Sequence, residues 1–164
     1  MTNSEQLTHL FLAEARFHLM QQYLPWLRAC LEKLSEEDVW WRPKEKSNSA
    51  GNLVLHLCGN IRQWVIHGVG GAEDMRQRSA EFAERGPIPK AELLAKLKAT
   101  LEEVEQVLQR VTAEELAQPR QIQGFDQTVL SAIFHVVEHF SYHTGQIIYL
   151  TKMRTGEDLK FWNV

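Results

Sequence analysis

Residues 135–146 read His-Val-Val-Glu-His-Phe-Ser-Tyr-His-Thr-Gly-Gln. Three of the chain's seven histidines fall in this stretch, at 135, 139 and 143. On an α-helix, residues four apart share a face, one turn above the other. His139 and His143 can therefore aim their rings at one volume, and two such rings need one more donor to form a metal site. The candidate for that donor is His56, in a separate helical segment. His135 has the same spacing, and is open either to replace His143 or to support the pair through a hydrogen bond. The competing reading is a set of core histidines bonded to their neighbours.

Outward from this stretch, apolar spacing predicts four helices. Residues 4–34 carry Leu10, Phe17, Met20, Leu24, Leu27, Leu31 and Leu34 in one stripe. Pro25 removes a backbone donor and predicts a kink. His9 and His18 read as surface or satisfied core residues. Residues 35–48 form a connector with Trp40 and Trp41, placed to pack over a bundle end or to line a pocket. The second helix starts near Ser47–Ser49 and runs to His67, before Gly68, Gly70 and Gly71. His67 suits the end of that helix. Along it, Asn52, His56 and Asn60 make a polar stripe beside the apolar one. Buried polar groups need partners, so the stripe points to a ligand inside.

Residues 68–88 are glycine-rich and then charged, with Arg76, Arg78, Glu81, Glu84 and Arg85, and a short helical piece is expected around Asp74–Glu84. So long a connection is either a lid or a solvated crossover. Pro89 suits the first position of the third helix, which carries Leu94, Leu97, Leu101, Val104, Leu108 and Val111. Residues 112–126 read as an extra turn and a loop, with Asp126 as the cap of a fourth helix that ends near Arg154. No strand alternation of useful length is visible. The aromatics of the tail, 156–164, should dock on the bundle or on a second copy. The expected fold is all-α: a four-helix bundle of one domain, 1–164, with a long connection between helices 2 and 3.

The bulk properties exclude several functions. The 164 residues are 44% hydrophobic and 24% charged, with net charge -3 and pI near 6.2. There is no basic block for a nucleic acid and no run of roughly 18 apolar residues for a membrane. The first residues, Met-Thr-Asn-Ser-Glu-Gln, do not read as a signal peptide. Cys30 and Cys58 lie outside any C-x-x-C and read as small buried apolar residues. A cytoplasmic location is the expectation.

The segment Asn52-Leu-Val-Leu-His56-Leu-Cys-Gly-Asn60, followed by His139-Phe-Ser-Tyr-His143-Thr-Gly-Gln146, resembles the DinB-like (YfiT-like) superfamily of metal-binding four-helix bundles. The resemblance extends through the Trp-Arg-Pro connector, the Arg-rich stretch 76–85 and the Asp-Leu-Lys-Phe-Trp tail. It implies His56, His139 and His143 as ligands of a divalent ion, zinc or nickel, and a homodimer. Some relatives are transferases or isomerases that use low-molecular-weight thiols.

Three functions follow. The first is a metal-dependent enzyme acting on a small molecule, by thiol transfer or by hydrolysis, with Glu138 or Tyr142 as candidates to move a proton. The second is a non-catalytic metal-binding bundle. The third is a plain helical bundle that makes dimer contacts. Asn52, Asn60, Glu138 and Gln146 are the residues available to orient the ligand rings.

Overall fold

The computed structural model describes residues 2–161. Eight α-helices and one short hairpin follow in order along it. α1 (Asn3–Arg16) and α2 (Leu24–Lys33) form one rod, joined by a π-helical stretch, Phe17–Tyr23. The expected kink at Pro25 is thus taken up as a widening. Proline cannot supply the amide for the carbonyl four residues back, and the turn before it opens to longer bonds. Leu24 N–H donates to Leu19 O across five residues.

The wide turns shift the helix phase. Buried positions run Thr8, Leu12, Ala15, Leu19, Tyr23, Leu27 and Leu31, in steps of four through the π stretch. A regular stripe extrapolated back from Leu27 therefore misses. Leu10 and Phe17, expected on the inner face, are exposed.

α3 (Glu36–Trp40) is a single capped turn, with Ser35 accepting from Asp38 N–H. The Trp pair sits at the bundle end. The Trp40 ring lies against Gly51, and its Nε1 donates to Ile88 O at 3.1 Å. Trp41 faces the Arg154 guanidinium. α4 (Ala50–Ile61) starts where the small polar residues predict, with Ser49 and Asn52 forming a reciprocal cap, and a π turn, Arg62–His67, completes it. His67 closes that end through a 2.6 Å contact between Nδ1 and Ala72 O.

Residues 68–88 contain α5 (Arg78–Ala83). α6 (Lys90–Leu108) follows, and Pro89 is its cap residue instead of its first helical residue. The region 112–128 departs from the expected turn and loop. It holds α7 (Ala113–Leu116) and a hairpin of β1 (Pro119–Ile122) with β2 (Phe125–Thr128). Gln123 and Gly124 both have positive φ, 56° and 79°. A two-residue hairpin turn of this twist requires that. Asp126 pairs with Gln121 in the ladder, so Thr128 caps α8 (Val129–Thr155) in its place.

α2, α4, α6 and α8 close the four-helix bundle, with α8 packed on α2 and α4, and α6 on both as well. Leu27, Leu57, Ile61, Leu97, Val104, Val136, Phe140 and Ile147 are fully buried between them. Each such side chain contributes about 1.5–3 kcal/mol by leaving water. Phe161 stacks on Trp26, as expected of the tail, and Trp162 lies outside the described residues. No helix of the described residues is long and apolar enough to cross a membrane.

Both cysteines are buried and free. Burial pushes the Cys30 thiol up to about 11 and the Cys58 thiol up to about 12. In the folded protein at neutral pH, neither should react with a disulfide reagent such as Ellman's. Both should react once denaturant is added, which the released chromophore would count.

Candidate metal centre

The centre sits where α4 and α8 face each other. His56 projects from the middle of α4, and His139 and His143 project from successive turns of α8. One ligand atom from each lies within 4.8 Å of the other two. The Nε2 atoms of His56 and His139 are 2.9 Å apart. His135 stands outside this group. Its ring packs on Trp64 at 4.1 Å and on His139 at 5.4 Å.

The second ring nitrogens have partners of their own. His56 Nδ1–H donates to Glu81 Oε2 at 2.8 Å, and His143 Nδ1–H donates to Gln146 Oε1 at 2.7 Å. A carboxylate or an amide oxygen can only accept, so these bonds place the proton on Nδ1 in both rings. The Nε2 lone pairs are then left for the shared volume. Carboxylate–histidine pairs of this kind orient metal ligands and make them more basic.

Glu81 escaped the sequence reading, which named it only as one charge in a connection open to a lid or a solvated crossover. Its carboxylate is almost entirely enclosed. Arg76 holds it through Nε on Oε1 at 2.8 Å and Nη2 on Oε2 at 3.0 Å, and Arg76 Nη1 continues to Gln63 Oε1 at 2.9 Å. Burial by itself would raise the acid's pKa. The hydrogen bonds from His56 and Arg76 outweigh it and hold the group below the usual carboxylate range. A local signal did exist: Gly59 lies one turn beyond His56 and carries no Cβ, where a Cβ would stand 1.9 Å from Glu81 Oε1.

The other candidates take different roles. Asn52 serves the connection, not the histidines. Its Nδ2 donates to Glu81 O and Glu84 O at 2.9 and 3.0 Å, and its Oδ1 accepts from Arg42 Nη2 at 2.6 Å. Asn60 Oδ1 is buried without a hydrogen-bond partner among the described residues. Glu138 and Tyr142 lie on the exposed side of α8, with the Tyr142 ring edge-on to His143 at 5.0 Å.

Burial lowers His139 to about 3, helped by the neighbouring rings of His143, His56 and His135. Burial also lowers His143 and His135. His139 and His143 therefore favour the neutral form that can ligate. Around a tetrahedral zinc with Zn–N of 2.0–2.1 Å, ligand nitrogens stand about 3.3 Å apart. The donor spacing and the outward-held Nδ1 protons fit such an ion, and three imidazoles equally suit nickel, copper or iron. Beside the rings opens a cavity of about 350 Å³, with His56, His135 and His139 in its wall.

These features define a class: a helical bundle with an inward-facing three-histidine cluster and a cavity against it. The chain belongs to the family described as Protein of unknown function (DUF1572), which matches residues 6–164, and its fold is that of the DinB-like superfamily. It is similar to the crystal structure of a DinB-like protein from Bacillus cereus ATCC 10987, at 15% identity and a TM-score of 0.66. The alignment covers 84% of this chain and 88% of that one. No curated protein matches the chain.

The Glu81 anchor has a direct test. Gly59→Ala should destabilise the chain by about 1–3 kcal/mol, because the carboxylate is pinned and cannot swing aside. In a Glu81→Ala background the same substitution should cost little, since the clashing atoms are gone. A double-mutant cycle from denaturant melts measures the difference.

Proposed function

We propose that His56, His139 and His143 bind one divalent ion, zinc or nickel, in an open site, and that the protein is a metal-dependent enzyme acting on a small molecule. The observation that carries this reading is the convergence of the three rings with two Nδ1 protons held outward by Glu81 and Gln146. Three protein donors leave coordination positions for water or substrate, as in catalytic sites and unlike closed structural ones. An ion held there would act as a Lewis acid and would lower the pKa of a bound water or thiol.

The chain's own residues supply the rest. Glu81 and Gln146 fix the tautomer and angle of the rings they bond. The connection 68–88 covers His56, with Phe82 packed on its ring at 4.7 Å, and limits the approach of water from that side. The cavity admits a small organic molecule to the edge of His56 and His139. His135 lines it, and Glu138 and Tyr142 do not, so His135 is the titratable group better placed beside a substrate. Transfer to or from a low-molecular-weight thiol, or hydrolysis, are the reactions that this arrangement suits.

Elemental analysis of the purified chain should find about one zinc or nickel per protein. His143→Ala and His56→Ala should each abolish stoichiometric binding. Glu81→Gln should keep the ion but weaken it roughly 10–100-fold in a chelator competition. Wild-type levels of metal in either alanine variant would overturn the reading.

A second copy of the chain belongs to the same proposal. Phe134, Tyr142, Tyr149 and Met153 form an exposed apolar row on α8, and mid-row Gly145 has open space around it. Sedimentation equilibrium should give twice the 19.0 kDa chain mass, and Phe134→Glu should return it to one.

A further inference from the structure

The cavity beside the histidines has an uneven chemistry. Its wall combines Asn60 of α4, Trp64 of the π turn that follows it, the arginines Arg76 and Arg78, and hairpin residues Gln123, Phe125 and Gln127. Among the described residues, no aspartate or glutamate lines it. Strand geometry explains part of this. Phe125 and Gln127 are two apart on β2 and share one face, which leaves Asp126 on the other.

The two arginines differ. Arg76 is matched by Glu81 through two hydrogen bonds. Arg78 is exposed and lies over the Phe82 ring at 5.1 Å, and among the described residues it has no carboxylate partner. Its positive charge is therefore free to act on whatever enters.

Two further wall residues carry unmet hydrogen-bonding groups. Trp64 Nε1–H and Asn60 Oδ1 have no partner among the described residues, although both side chains are at least nine-tenths buried. Such groups cost about 1–3 kcal/mol each when left unmade. Both atoms are enclosed by the protein itself, so the surface that meets a bound molecule is set by the other wall residues.

We infer that this cavity selects a small anionic substrate, a carboxylate or an equivalent oxyanion, whose charged end is held by Arg78 with the side-chain amides of Gln123 and Gln127 beside it. The inference deepens the reading of the cavity as the substrate pocket and rests on it. The cavity volume of about 350 Å³ suits a compact organic acid, not a nucleotide or a peptide. Guanidinium–carboxylate pairing is the strong, directional contact such a wall can make.

Three probes of one shape test it on the full chain: succinate, its uncharged diamide and the diamine putrescine. Calorimetry would be run on both zinc-loaded and zinc-stripped protein. Succinate should bind roughly tenfold more tightly than the diamide, putrescine should not bind, and the succinate affinity should fall as salt is raised. Arg78→Gln should abolish the preference for succinate and leave zinc affinity unchanged, because the side chain is exposed and the hydrogen bonds that orient the ligand rings come from Glu81 and Gln146. Equal affinity for succinate and diamide, no binding of any probe, or full succinate affinity in Arg78→Gln would each overturn the inference. Loss of zinc in the histidine variants with anion selection intact would leave it standing. Zinc binding by a chain that ignores succinate would sink it alone.

Discussion

A buried carboxylate organises the functional end of this molecule. Glu81 is withdrawn from water and would be strongly unfavourable there without compensation. Arg76 supplies two aligned donors and His56 a third. Each partner belongs to a different part of the chain: His56 to α4, Arg76 to the stretch before α5, and Glu81 to α5 itself. One charge thus ties the long connection to the bundle and sets the rotation of a ligand ring in the same contact. Gly59 makes the arrangement sterically possible. Asn52 reinforces it by capping the start of α4 and holding the carbonyls of Glu81 and Glu84.

Two irregular stretches of helix position what the regular ones present. The π turns at Arg62–His67 continue α4 past the histidine and carry Trp64, whose ring stacks on His135. The π turns at Phe17–Tyr23 absorb the defect created by Pro25 and let the first rod stay continuous against α8. The hairpin between α7 and α8 supplies the remaining wall of the cavity. It also draws Gln123 Nε2 to Gln63 Oε1 at 2.5 Å, an oxygen already bonded to Arg76. Hairpin, α4 and connection therefore share one polar network at the cavity edge.

Much of this was readable before folding. The spacing of Leu97, Leu101, Val104 and Leu108 located α6, Ser49 located the start of α4, and the histidine repeat located the functional face of α8. The misses have physical causes. Leu10 and Phe17 were placed inward because a constant period was carried through turns that are wider than regular ones. β1 and β2 have only four residues each and no alternation of apolar and polar side chains, so only the positive φ at Gln123 and Gly124 marks the turn.

Local chemistry along the chain was enough to assign four helices and to mark His139 and His143 as a pair with His56 as the candidate third donor, because helical periodicity is a short-range property. His135 stayed open as an alternative, and the resemblance to the DinB-like superfamily supplied the full ligand set. Folding alone could reveal that Glu81, twenty-five residues from His56, is its hydrogen-bond partner. The same holds for Arg78, a cation left without a counter-charge in a cavity wall. A charged residue in a connecting segment carries no mark of whether it will face water or be enclosed. That depends on which distant surfaces close over it.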